Sequence, residues 1–266
     1  MKSGFKFVFS KNSNLLSIGH SFIELQSVDS TNNYAMAEAA AGMAAHGTLF
    51  FAHDQWAGKG QRGRTWASKP GENIVLSAVI EPVALVSSQV FALSACVALA
   101  CHDLFSGWAG ADSTRIKWPN DLYWGDRKAG GILIENSFRG DRWVLAIAGM
   151  GININQLEFP VTGRDPVSLR QITGRPFEVI PLARALGECL DRRYCELETA
   201  VKTPGGTAAV IGQYNDRLYR RGQEVRLRKD HVVFETKILG VSSQGMLLTR
   251  DAVDRQFSFG EVEWVI

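Results

Sequence analysis

Gly58-Lys59-Gly60-Gln61-Arg62-Gly63-Arg64-Thr65-Trp66 is the stretch on which the reading of the whole chain turns. Its glycines let a backbone approach a ligand closely, and Lys59, Arg62 and Arg64 supply positive charge. Gly58 and Gly63 have the four-residue gap of a P-loop, with Arg64-Thr65 in place of its Lys-Ser/Thr. A P-loop must open a helix, however, and Trp66-Ala67-Ser68-Lys69-Pro70-Gly71-Glu72 cannot continue as one, because Pro70 and Gly71 break it. Two readings are left. One is a solvated surface loop; the other is a basic loop that wraps an anion and later releases it, each arginine offering paired hydrogen bonds to phosphate or carboxylate.

Working outward, residues 20–28 alternate as a strand should, and Asp29-Ser30-Thr31-Asn32 supplies helix-capping chemistry before an Ala-rich helix, Asn33–Ala45. Thr48–Ala52 and the β-branched Asn73–Ile80 read as strands. The polar, Gly-punctuated segment Asp54–Glu72 between them is long for a connection inside a compact domain, which marks it as functional. Downstream come a helix over Ser88–Phe105, a strand Thr114–Trp118 stopped by Pro119, and a hairpin. The hairpin joins Gly131–Phe138 to Trp143–Asn153 through a turn at Gly140-Asp141. Helical spacing of Ile180, Ala183, Leu186 and Leu190 predicts a helix over 179–200, with another at Ala208–Tyr219. From Gly222 onward, short strands separated by Gly240, Gly245 and Gly260 predict a small β-barrel. The fold class is therefore α+β, a mixed domain over residues 1–215 followed by an all-β domain over 216–266.

Composition narrows the function. The 266 residues are 45% apolar and 21% charged, which excludes a disordered chain. A net charge of +2 (29 − 27) argues against a protein whose main work is gripping nucleic-acid backbone. Cys96, Cys101, Cys189 and Cys195 form no CxxC pair and lack metal-spaced histidines, so zinc is not expected. The Ala-rich segment Gln89–Leu104 carries His102 and Asp103 near its end and suits a buried helix better than a membrane span. The chain reads as cytoplasmic, without a membrane partner.

Arg115-Ile116-Lys117-Trp118-Pro119-Asn120-Asp121 ends a strand in a polar cluster. Alternation puts Lys117 opposite Ile116, which taken alone favours a solvated lysine, and Asn120 and Asp121 after a proline are ordinary turn residues. Neither segment decides anything by itself. In order along the chain, though, stand Gly58–Trp66, Lys117-Trp118-Pro119-Asn120-Asp121, Lys128-Ala129-Gly130-Gly131-Ile132-Leu133-Ile134-Glu135 and Gly149-Met150-Gly151-Ile152-Asn153. That set closely resembles the catalytic domain of biotin protein ligases, from about Asp29 to Asn155. Fainter matches at Val167-Ser168-Leu169 and Phe259-Gly260-Glu261-Val262 carry it onward.

The resemblance implies a class II synthetase-like biotin/lipoate ligase domain with a mixed sheet and packed helices, then an SH3-like barrel. It implies biotin and ATP as substrates, Mg2+ with the ATP phosphates, biotinyl-5′-AMP as intermediate, and a lysine of a biotin carboxyl carrier protein as acceptor. By residue, it places Lys117, Arg62 and Arg64 in catalysis. Ser30, Thr31, Asn32, Gln55, Gly58, Lys59, Gly60, Gln61, Lys117 and Gly131 are placed around biotin; Arg62, Arg64, Trp66, Asn120 and Asn153 are placed around the nucleotide. Ser30 also reads as a plain helix N-cap. The chain departs from the commonest pattern at Lys59, where arginine is frequent, and at Gln61, which replaces a frequent arginine; both weaken bidentate anion binding. Only about 28 residues precede Asp29, too few for the winged helix-turn-helix of some members, so operator DNA is not an expected partner. The Ile132–Asn153 hairpin is expected to leave an edge able to pair with a second copy or with the carrier. Two rivals stand beside this reading: a lipoate or octanoate ligase of related fold, and a non-catalytic SH3-like binding module around 220–266, where Arg217, Arg220, Arg221, Arg226, Arg228 and Lys229 cluster.

Overall fold

A computed structural model describes residues 16–160 and 165–265 of the chain; the expectation drawn from the residues before Asp29 lies in part outside that range. Its frame is a seven-stranded sheet in the order β1-β2-β3-β7-β6-β5-β4. The strands are β1 (Ser21–Val28), β2 (Thr48–Gln55), β3 (Ile74–Ile80), β4 (Thr114–Lys117), β5 (Asp121–Trp124), β6 (Arg127–Arg139) and β7 (Arg142–Ile152). Only β1 and β2 run parallel, because a helix, α1 (Thr31–Ala40), crosses over between them; the remaining neighbours are antiparallel.

Strand alternation divides the core. Leu49, Phe51, Leu76, Ala78 and Ile80 face α2 (Val90–Ala109) and α4 (Val179–Ala200), whereas Phe50, Val79 and Ile147 face α1. Every residue of β3 is buried, as a central strand covered on both faces requires. The apolar length of α2 would suffice to cross a bilayer, but Leu93, Val97, Leu99 and Phe105 are 0–1% exposed in the core. Arg193 of α4 clamps it there with a two-pronged pair to Asp103, at 2.6 and 2.9 Å, and a third bond to Gln213. Gln213 lies on α5 (Thr207–Asp216).

The C-terminal strands form a separate antiparallel sheet, β11-β10-β9-β8-β12. They are β8 (Glu224–Lys229), β9 (Val232–Val241), β10 (Leu247–Arg250), β11 (Asp254–Phe257) and β12 (Glu263–Val265). Its apolar side, with Leu227, Ile238, Val241 and Leu247, is continuous with the main core. The entering chain covers the outer edge of β4: Ile116 donates to the Arg217 carbonyl and Tyr219 donates to the Ile116 carbonyl. Trp118 donates its indole N–H to the Gly245 carbonyl at 2.9 Å.

Several expectations need correction. Helix α1 starts two residues early and ends at Ala40, because Ala41–Ala44 turn back on Glu38 and Ala39, with Gly42 in the left-handed region. Asn120-Asp121 does not simply turn: Asp121–Trp124 is the short strand β5, and β6 begins four residues earlier than its apolar run suggests. A five-residue helix, α3 (Leu169–Thr173), capped by Ser168, was not expected at all. Strand β7 of the hairpin is interior to the sheet, between β3 and β6. Yet β5 pairs with β6 only as far as Gly131, so the Leu133–Arg139 side lies beyond that partner.

Candidate active site

Cross-strand register assembles the site. Lys117 pairs with Asp121, Asp121 with Gly131, Gly131 with Gly151 and Gly151 with Val75, so these five positions form one row across β4, β5, β6, β7 and β3. Two residues along β7 from Gly151 lies Gly149, on the same face. The basic loop folds over this row as a small hairpin: Lys59 bridges Thr65, Trp66 donates to the Gly58 carbonyl, and Gln61–Gly63 make a tight turn with Arg62 at φ 56°. Gly58 is glycine of necessity, since a Cβ there would collide with the Trp66 carbonyl and the Gln55 amide.

The glycine row is a floor. The Trp66 ring lies so close over Gly151 that a Cβ could not be added, and it stands 3.4 Å from the position of a Cβ on Gly131. Gly149 is similarly covered by the Asn32 amide. Among the described residues, Gln61 Oε1 and Trp66 Nε1 are buried here without hydrogen-bond partners, polar atoms that a ligand could satisfy.

One end of the floor is lined by uncharged polar groups, with the Glu135 carboxylate behind them, and is closed by hydrogen bonds. Thr31 donates its backbone N–H to Gln55 Oε1 at 2.8 Å. Ser77 Oγ lies 2.7 Å from both Thr31 Oγ1 and Asn32 Oδ1, and Asn32 donates through Nδ2 to the Leu133 carbonyl and to Glu135 Oε2. Ser30 occupies the N-cap position of α1, but its hydroxyl makes no cap bond and is 2% exposed. Gln55 takes over part of the capping instead, which leaves the Ser30 hydroxyl uncommitted to the helix.

The other end is ionic. Lys117 is 8% exposed, its ammonium 3.1 Å from Tyr123 Oη, 4.7 Å from the Tyr123 ring centre and 5.3 Å from that of Trp264. This corrects the expectation from alternation: the face opposite Ile116 is roofed by aromatic rings, one of them from the C-terminal sheet. Burial pushes the Lys117 ammonium down to about 8; Asp121 opposes the shift, while Lys128 and Arg64 add to it. Lys128 reaches back to Asp121 at 2.6 Å and over the Trp66 ring. Lys117 and Lys128 thus outnumber Asp121 at this end, with Arg64, itself beside Glu263, adding further positive charge.

The other predicted residues are placed as follows. Lys59 bonds Asn33 on α1, and Gly60 closes the loop through the Arg64 carbonyl. Gln61 reaches toward the Ile132 carbonyl at 3.5 Å, which also accepts from Asn120 at 2.6 Å. Arg62 donates to the Gly260 carbonyl and Arg64 lies 4.0 Å from Glu263, so both arginines are turned to the C-terminal sheet. Asn153 is occupied as a bracket, its amide shared between the Lys128 and Val167 carbonyls.

The sequence model of the Biotin/lipoate A/B protein ligase family matches residues 24–153. Over 239 residues the chain is 31% identical to the Bifunctional ligase/repressor BirA of Bacillus spizizenii, covering 88% of this chain and 71% of that protein. Over 245 residues it is 31% identical to the biotin–[acetyl-CoA-carboxylase] ligase of Paracoccus denitrificans, covering 87% of this chain and 95% of that one. The chain belongs to the biotin protein ligases. Its fold is that of the biotin protein ligase from Aquifex aeolicus in complex with biotin and ATP, with a TM-score of 0.74 at 23% identity, covering 92% of this chain and 98% of that chain.

For this ligase, sequence reasoning missed Ser77, Tyr123, Lys128, Glu135 and Trp264. Lys128 and Glu135 bound the Ala-Gly-Gly motif and were legible as its flanks. Ser77 was also within reach, as the lone polar residue in an otherwise apolar strand. Nothing in the sequence links Trp264 to Lys117.

Proposed function

We infer that this chain is an ATP-dependent ligase that activates biotin as biotinyl-5′-AMP and transfers it to a lysine of a biotin carboxyl carrier protein. The observation that carries the reading is the register row that ends at Lys117. Beside the polar groups around Gly149, it runs across Gly151 and Gly131 to Asp121 and the cations Lys117 and Lys128. By strand spacing, Gly149 and Lys117 stand roughly 16 Å apart, three strands over and two residues along. A slot of that kind suits an acid with an uncharged polar head and an anionic tail.

The neutral end fits the ureido head: Ser30, Thr31 and Gln55 offer hydrogen bonds without charge, and Ser77, Asn32 and Glu135 fix their orientation. Lys117 with Lys128 and Arg64 would draw the biotin carboxylate and the ATP α-phosphate together. In the first step a carboxylate oxygen attacks the α-phosphorus, the bond to the β-phosphate oxygen breaks, and pyrophosphate leaves. In the second, the carrier lysine's neutral amine attacks the acyl carbon, AMP leaves, and the amine sheds its proton. Lys117 acts electrostatically in both, as a fixed ammonium. Mg2+ would accompany the ATP triphosphate as part of the substrate, as the resemblance to the family implies. The Leu133–Arg139 side of β6, beyond the reach of β5, is the place where an added strand from the carrier or a second copy would pair.

The test is transfer of labelled biotin to a carrier domain. Wild type should label it with biotin and not with lipoate, and Lys117→Ala should not. Equal use of lipoate would move the chain to the lipoate branch of the family.

A further inference from the structure

The C-terminal sheet meets the site at its chemically active end. Trp264 and Glu263 of β12 and Gly260 just before it approach Lys117, Arg64 and Arg62 respectively. The contact to Lys117 differs in kind from the other two, because it is buried and involves a ring.

An ammonium has three protons to place, and Tyr123 Oη is the hydrogen-bond partner that Lys117 has among the described residues. The remaining hold on a flexible four-carbon side chain comes from the rings. Tyr123, Tyr219 and Trp264 form a continuous run, with centres 5.2 and 5.7 Å apart. The run is anchored from outside, where Tyr219 donates to Asp126 at 2.6 Å and Arg220 pairs with the same carboxylate. Trp264 is fixed in turn by its pairing with Leu227 on β8. Its own indole N–H is buried without a hydrogen-bond partner among the described residues, and its contact with Lys117 is made through the ring face.

We propose that Trp264 is a positioning residue for adenylation: together with Tyr123 it clamps the Lys117 ammonium at the anion-gathering end of the slot, so that the C-terminal sheet completes the active site. The proposal rests on the ligase reading above. It makes Trp264 act through Lys117 and not through substrate, which gives the two residues a coupled effect.

The experiment is biotin-dependent exchange between ATP and pyrophosphate in the full chain, comparing wild type, Trp264→Leu, Trp264→Phe, Lys117→Ala and the double variant Lys117→Ala/Trp264→Leu. Trp264→Leu should lower kcat about tenfold while leaving KM for biotin within about twofold, and Trp264→Phe, which keeps a ring face, should stay within about threefold of wild type. In the Lys117→Ala background Trp264→Leu should cost nothing further. The proposal is overturned by an unchanged kcat in Trp264→Leu, by an equal loss in Trp264→Phe, or by a further tenfold loss in the double variant, the signature of a merely structural residue. No exchange in wild type would defeat the ligase reading itself, and the inference with it.

Discussion

The two ends of the glycine floor are built on opposite principles. At the Asn32 end the protein's own groups answer one another: Glu135 to Asn32, Asn32 to Ser77, Ser77 to Thr31, Thr31 to Gln55. At the Lys117 end charges are left unbalanced, with Lys117 held by ring faces and one hydroxyl. A satisfied network is rigid and can select a neutral shape. An excess of buried cation is costly until anions arrive, and on the reading proposed above that cost would help draw two repelling anions together. On the reading proposed above, selection and activation would sit at different ends of one glycine floor.

The difference can be broken from the ionic end first. Lys117→Ala should cut adenylate formation on the order of 10²–10³-fold while leaving biotin affinity within a few-fold, measured by pyrophosphate exchange and calorimetry. Loss of affinity and rate together would erase the distinction between the ends.

The second effect is set by pH. The Lys117 ammonium loses its proton near pH 8, so kcat/KM for the first step should be level below that and fall by up to tenfold per unit above it. Facing it are Asp121, Lys128, Arg64 and the hydroxyl of Tyr123, while the Tyr219 hydroxyl points away to Asp126; burial pushes both phenols up, so they stay protonated through this range. Stability moves the other way. Between about 8 and the free-lysine value near 10.5 the unfolded chain holds a proton that the folded one has shed, so this group's contribution to stability rises with pH. A rate that stays level to pH 10 would contradict the account.

The third breaks the neutral end. A Cβ at Gly149 must displace the Asn32 amide, so Gly149→Ala should weaken biotin binding about tenfold and leave KM for ATP within about twofold. The smallest effect belongs to the exposed Arg64–Glu263 pair at 4.0 Å: Glu263→Gln should change kcat less than about threefold, and less again in high salt.

Much of this was legible in the sequence because it lies in contiguous motifs. The strand before Asp29, the long Ala-rich helix, and the β6–β7 hairpin with its Gly140-Asp141 turn are local patterns, and all are present. Short elements were not: four residues of β5 between a proline and a glycine carry too little periodicity to oppose a turn reading. Lys117 marks the sharper limit. Alternation fixed which face it occupies, but only tertiary packing puts Tyr123 and Trp264 on that face, the latter 147 positions away (264 − 117). The arginines show the converse. Their charge was plain, while their direction toward Gly260 and Glu263 depends on where the C-terminal sheet docks.

The claim at the centre is that one slot joins a neutral acid-selecting end to a cationic end that brings carboxylate and α-phosphate together. Single-turnover mixing of the wild-type chain and labelled ATP with either biotin or lipoate tests it directly. The account predicts rapid formation of about one biotinyl-5′-AMP per active site and no comparable lipoyl adenylate. Adenylate formation that is absent with biotin, or as fast with lipoate, would contradict it.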